Sequence, residues 1–107
     1  MSKYNNQKIR VGGELFDSKR EYNRWCELRL LERSGIICNL QRQVKFRLID
    51  SQKTSERTEH PCDYIADFVY YENGSRVVED CKGMRTDVYK IKRKLMLEKY
   101  NISIKET

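Results

Sequence analysis

No apolar run in this 107-residue chain approaches the ~20 residues that a membrane-spanning helix needs. The opening Met1-Ser2-Lys3-Tyr4-Asn5-Asn6-Gln7-Lys8 is polar throughout and lacks the apolar centre of a signal peptide. Both absences point to a cytoplasmic protein with no membrane partner. Among the four cysteines, Cys26, Cys38, Cys62 and Cys81, there is no Cys-x-x-Cys pair, and His60 with Cys62 is the only close pair of soft ligands. Zinc usually draws two ligands from one tight turn. The thiols therefore read as free, as a reducing compartment implies, with some of them packed in the core. Repeats, low-complexity tracts and internal linkers are also missing. Residues 1–107 read as one domain, with 1–8 as a flexible basic tail. Paired zinc-finger ligands and heptads do not occur, which removes the common DNA-reading motifs.

What the chain does have is charge. It carries 22 Lys and Arg against 16 Asp and Glu, for a net +6 and a pI near 9.2. In so small a domain a basic balance favours a polyanionic partner, nucleic acid first. On composition alone, a merely basic solvated surface is an equal alternative.

Gly12-Gly13 lies between short apolar pieces and marks a tight turn before the first helix. That helix starts at Ser18, with Glu21 in capping-box position. Tyr22, Trp25, Cys26, Leu28 and Leu31 follow at helical spacing, and Gly35 closes it. From Gln43 to Ile49 the chain alternates, Val44, Phe46 and Leu48 against Lys45 and Arg47, as in a half-buried strand. Residues 50–61 read as a polar loop. Tyr64–Glu72 and Ser75–Lys82 are strands joined by Asn73-Gly74, the pair that a type I′ hairpin turn favours because both residues need positive φ. A last helix runs from Thr86 or Asp87 to Tyr100, with Val88, Ile91, Leu95 and Met96 as its apolar positions. Ile102 and Ile104 suggest a final short strand. The order is helix, three strands, helix, strand, which gives an α/β domain with a mixed sheet.

The two-residue turn fixes the hairpin register. If Glu72 faces Ser75, then Val69 faces Val78 and Asp67 faces Asp80, and the pleat puts all four on the side to which Lys82 points. Two carboxylates opposite one another destabilise a sheet unless something compensates. A divalent cation would, because hard Mg²⁺ prefers carboxylate oxygen. The alternative is a solvated sheet end that Lys82 neutralises. By the same alternation Glu79 belongs to the other face, across from Phe68, whereas Asp63 shares the Asp67 face four residues away.

Asp67, twelve intervening residues, then Asp80-Cys81-Lys82 resembles the PD-(D/E)XK nuclease signature. Longer strings resemble a small, mostly phage-encoded branch of that superfamily. They are Phe16-Asp17-Ser18 with Glu21, Leu40 with Gln43, Tyr64-Ile65-Ala66-Asp67-Phe68-Val69-Tyr70, and Val77-Val78-Glu79-Asp80-Cys81-Lys82-Gly83. The likeness as a whole spans residue 11 to about 104. Ala66 stands where the signature has proline, and Asp80 where glutamate is usual, one methylene shorter.

The resemblance implies an αβββαβ restriction-endonuclease-like core and Mg²⁺-dependent hydrolysis of DNA phosphodiesters, with Mn²⁺ as a substitute. Asp67 and Asp80 would hold metal and Lys82 would be the catalytic lysine. Glu21 would match the helix-borne acid of Holliday-junction resolvases and of a transposon-end nuclease subunit, with helix capping as its equal alternative. Lys90 and Arg93 on the last helix, together with Gln43, are the expected DNA contacts. A homodimer is compatible with so small a chain. The rival readings are a catalytically inactive DNA-binding module of the same fold and a phage adaptor or inhibitor that binds a host protein. A phage-encoded protein would act in the bacterial host cytoplasm.

Overall fold

A computed structural model of the protein describes residues 8–107. Of the tail expected over 1–8, only Lys8 is among them, 3.7 Å from Asp17, and the remainder lies outside the described residues. Gly12 and Gly13, with φ of 58° and 83°, turn the chain between β1 (Ile9–Val11) and β2 (Glu14–Phe16). Helix α1 (Lys19–Arg33) begins where the Ser18 hydroxyl accepts the Glu21 N–H at 3.1 Å. It ends at Gly35, whose φ of 80° lets the Gly35 and Ile36 N–H groups reach back to Glu32 and Leu31.

Strand β3 (Ile37–Ile49) begins six residues before the expected Gln43. Asn39 and Gln43 hold φ of 56° and 54° inside it, and these interruptions hide its first half from an alternation test. The stretch 50–61, expected as loop, carries a short hairpin of β4 (Gln52–Lys53) and β5 (Thr58–Glu59). Strands β6 (Cys62–Glu72) and β7 (Ser75–Asp80) flank Asn73 and Gly74, at φ 53° and 79°, as the type I′ turn requires. Helix α2 (Asp87–Tyr100) is capped by Thr86, whose hydroxyl accepts the Tyr89 N–H at 3.1 Å, and Asn101 in the left-handed region stops it. The closing strand β8 (Lys105–Glu106) lies just past Ile102 and Ile104; those two pack toward the core but do not form its ladder.

The main sheet has the order β3-β6-β7-β8, antiparallel except for the parallel β7–β8 pair. The domain is thus α/β, with a mixed sheet and two helices. No helix among the described residues is long and apolar enough to cross a membrane.

Two separate cores cover this sheet. Tyr89 and Met96 of α2 pack with Val44, Phe46, Leu48, Tyr64, Ala66, Val69 and Val78. Trp25, Leu28 and Leu31 of α1 pack with Ile37, Leu40, Phe68 and Tyr70. Strict alternation forbids this division: Ala66 and Phe68 share a parity yet serve opposite helices. The switch falls at Gln43 on β3 and Asp67 on β6, which sit between the registered pairs Arg42↔Phe68 and Val44↔Ala66. Asp63 therefore leaves the Asp67 face and pairs with Arg47 at 2.6 Å.

Both helices keep most of the expected face, Trp25, Leu28 and Leu31 on α1 and Leu95 and Met96 on α2, but each loses expected positions. Cys26 is exposed, ~200° around α1 from the buried Leu28 at 100° per residue. No cysteine is fully buried, although half-buried Cys62 touches the α2-side core. On α2, Val88 and Ile91 are exposed instead of packed. Tyr89 takes the sheet-facing position because its hydroxyl finds Glu106 at 2.7 Å, so the ring can be buried without stranding a donor.

Glu79 is fully buried on the α1 side. It receives Arg24 through two nitrogens, at 2.6 and 3.0 Å, and the hydroxyls of Tyr70 at 2.7 Å and Thr107 at 3.1 Å. The Arg24 and Tyr70 bonds hold its carboxyl below the usual range against the opposing effect of burial. Deleting one partner of a buried pair costs ~3–5 kcal/mol. Glu79→Ala should lose that much in urea unfolding, whereas Tyr71→Ala at an exposed position should lose less than about 1 kcal/mol.

Candidate active site

The β6–β7 ladder runs from Glu72↔Ser75 to Phe68↔Glu79. One step further, Asp67 and Asp80 do not form the expected ladder pair. The Asp67 carboxylate instead accepts the Cys81 N–H at 2.8 Å, while the opposite edge of β7 bonds the residues around β8. Thr107 N–H reaches the Asp80 carbonyl at 3.0 Å, and Lys82 N–H reaches the Thr107 carbonyl at 3.2 Å. The two carboxyl groups remain neighbours despite the lost pairing. Burial first, then the charge of Asp80, push the Asp67 carboxyl up to about 8.

Asp80 is 1% exposed. Its Oδ2 accepts a short hydrogen bond from the Tyr64 hydroxyl. Its Oδ1 is buried with no hydrogen-bond partner, and the Lys82 ammonium stands 3.3 Å away as an ion pair. Lys82 also lies 4.5 Å from the centre of the Tyr89 ring, a cation–π contact that steadies its stem beside Asp80. The expected alignment of Asp80 and Lys82 is thus present.

Glu21 joins this group from α1. It is buried, and burial raises its pKa, opposed by the hydrogen bond from Arg42. Arg42 reaches its carboxylate at 3.1 Å. The capping bond of Ser18 uses the Glu21 backbone N–H, which any residue would supply, while the Glu21 carboxylate accepts from Arg42 and Gln43 on β3. Gln43, expected as a DNA contact, sits inside the acidic group: its Nε2 is 3.4 Å from both Glu21 and Asp67. These are long bonds, at the outer limit for an amide donor. Of the other expected DNA contacts, Lys90 is exposed, whereas Arg93 is bonded to Glu106 at 2.9 Å.

Sequence reasoning assigned no role to Tyr64 or Arg42. Tyr64 was visible as the first residue of the strand that carries Asp67, but only the pleat switch places its hydroxyl at Asp80. Arg42 lies over the Phe16 ring, 3.9 Å from its centre, and also bonds Glu14 and the Leu15 carbonyl, so it ties the β1–β2 hairpin to the acids.

No three His, Cys, Asp or Glu side chains among the described residues are arranged as a ready metal cage. The donor chemistry nonetheless suits a hard cation. Mg²⁺ is commonly held by one or two carboxylates with waters and substrate oxygens completing the shell. Asp67 and Asp80 supply two, and one buried oxygen of Asp80 has no hydrogen to accept.

A family model described as "Protein of unknown function (DUF1064)" matches residues 1–106. The chain belongs to that DUF1064 family. No curated protein and no solved structure matches it.

The raised Asp67 carboxyl makes stability depend on pH. The folded chain holds a proton there that the unfolded chain releases near pH 4. The stabilisation is full below that pKa and is lost as pH rises through about 8. In EDTA the protein should therefore melt at a lower temperature at pH 8.5 than at pH 5.5. Asp67→Asn should flatten that slope, and an unchanged slope would mean that Asp67 is ionised throughout.

Proposed function

We propose that this protein is a metal-dependent DNA endonuclease with a restriction-endonuclease-like core. The observation that carries the reading is Asp80: a buried carboxylate held on one oxygen by Tyr64 and without a hydrogen bond on the other, with Asp67 and Lys82 converging beside it. The order α1, β3, β6, β7, α2, β8 supports it, as does the net charge of +6. Asp67 and Asp80 would hold Mg²⁺, which when bound supplies charge neutralisation at the phosphate and an acidified water.

The chain's own residues have separable tasks. Tyr64 fixes the Asp80 carboxylate through Oδ2 and leaves Oδ1 for the metal ion. The Cys81 N–H anchors one Asp67 oxygen and leaves the other toward Gln43. Lys82 presents a fixed positive charge where negative charge grows on the scissile phosphate, and such preorganised charge acts without reorganisation during the reaction. Glu21, between Arg42 and Gln43, sets the position of the Gln43 amide. Lys90 and the wider basic surface would hold flanking phosphates.

The protein should cleave at least one of linear, nicked and four-way-junction DNA in Mg²⁺ or Mn²⁺ and none in EDTA. Asp67→Ala and Asp80→Ala should abolish cleavage with the fold kept. Lys82→Met, which keeps the apolar stem, should lower the cleavage rate ~10²–10³-fold. Affinity in Ca²⁺ should barely move, since affinity of this kind sums over many phosphate contacts. Full activity of either aspartate variant would sink the assignment. Metal-independent binding of all three DNAs without cleavage would favour an inactive DNA-binding module.

A further inference from the structure

Across Arg42 from Glu21 lies a cleft of about 460 Å³ between the β1–β2 hairpin and α1, within the ~300–1,000 Å³ typical of ligand sites. Its wall is aromatic. Phe16 meets Tyr22 edge-to-face at 5.2 Å and Trp25 at 6.4 Å. Phe16 is buried, but Tyr22 and Trp25 are only half-buried, so part of their surface faces the opening. At the mouth stand Leu30, 58% exposed, and the exposed Arg29 and Arg33, which make no ion pair among the described residues. The Arg29 guanidinium already lies 5.7 Å from the centre of the Trp25 ring.

We propose that this cleft receives an unpaired base of the DNA substrate and that the enzyme therefore acts on DNA with single-stranded nucleotides next to the cut. This rests on the nuclease reading and narrows its substrate class. Aromatic faces accept any base, because every base has a π-face, and arginines at the rim match the phosphates on either side. A fully paired duplex offers no free base face to such a wall. The position fits as well. Arg42 touches the floor of the cleft, 3.9 Å from the Phe16 ring centre and 5.6 Å from that of Trp25. The same guanidinium bonds Glu21, and Gln43 links Glu21 to Asp67. Through Arg42 and Gln43 the aromatic wall of the cleft is thus tied to the carboxylates.

Trp25 is the only tryptophan in the chain, so its emission reports on the cleft directly. The full chain would be titrated in Ca²⁺ with a blunt duplex, the same duplex carrying a single-stranded tail, and that tailed duplex with an abasic tail. Only the tail with bases should quench Trp25. Removing the bases should weaken binding about tenfold or more, ~1.4 kcal/mol and upward, as loss of one stacked base implies. Leu30→Asp, at an exposed position that the fold does not need, should erase the preference for the tailed duplex while leaving binding to the blunt duplex unchanged. Equal affinity for base-bearing and abasic tails with unchanged emission would overturn the cleft proposal and leave the nuclease reading standing. Failure to bind any of the three DNAs would overturn both.

Discussion

Gln43 holds a φ of 54° in a strand where extended backbone is the rule, and a non-glycine residue there costs ~1–3 kcal/mol. Around it both long strands exchange faces. Before the switch β3 serves α1 through Leu40 and Arg42; after it, β3 serves α2 through Val44, Phe46 and Leu48. Strand β6 does the same in reverse across Asp67. Side chains of one parity thus serve different helices on the two sides of the switch, Leu40, Phe68 and Tyr70 with α1 and Val44, Phe46, Leu48, Tyr64 and Ala66 with α2. The switch also determines where the acids stand: Asp67 and Gln43 occupy the crossover, within reach of both helices. Glu21 from α1 and Tyr89 from α2 can then approach one group of side chains at the end of β7.

The same constraint explains why some residues were legible in the sequence and others were not. Asn73-Gly74 announces a tight turn, and a turn of two residues dictates every pair up to Phe68↔Glu79. The exile of Glu79 to the other face follows from that register; Asp67 and Asp80 lie one step beyond its last pair, and the Cys81 N–H holds the Asp67 carboxylate beside the end of β7 instead. Asp63 defeats the argument because the parity rule assumes an unbroken pleat, and the break lies between it and Asp67. The first half of β3 was invisible for a related reason: two polar residues in left-handed backbone interrupt the period on which strand recognition rests.

The helices illustrate a different limit. Periodicity finds an apolar stripe but not the polar groups that compete for the buried side. On α2, Tyr89 displaces Val88 and Ile91 because its hydroxyl reaches Glu106, which Arg85 and Arg93 also bind. On α1, Glu21 and Arg24 occupy sheet-facing positions that a hydrophobicity count gives to Cys26. Both charged residues are there because a partner waits across the interface, Arg42 for one and Glu79 for the other. Such partners come from 20 to 60 residues away in sequence, at separations of 21 and 55, beyond any local pattern.

Two adjacent acids, Glu79 and Asp80, point to opposite sides of β7 and are buried almost equally, at 0% and 1%. At Glu79 the fold supplies four hydrogen bonds from three residues, one of them a bidentate arginine, and the charged form is favoured. Asp80 receives one bond, and its second oxygen is buried with none. A buried, unsatisfied charged acceptor is among the most costly features a small domain can carry. Inability of the fold to satisfy a buried carboxylate is not the reason, since it does so one residue earlier. Nor is a shortage of cations, since Lys82 stands 3.3 Å away and still makes no hydrogen bond to that oxygen. An arrangement that leaves this one atom open, next to a second carboxyl group that burial and repulsion keep from ionising, makes sense if something outside the chain completes it. On the proposed reading, Asp67 and Asp80 would share a divalent cation, and Lys82 would then be free to meet the negative charge of a phosphodiester.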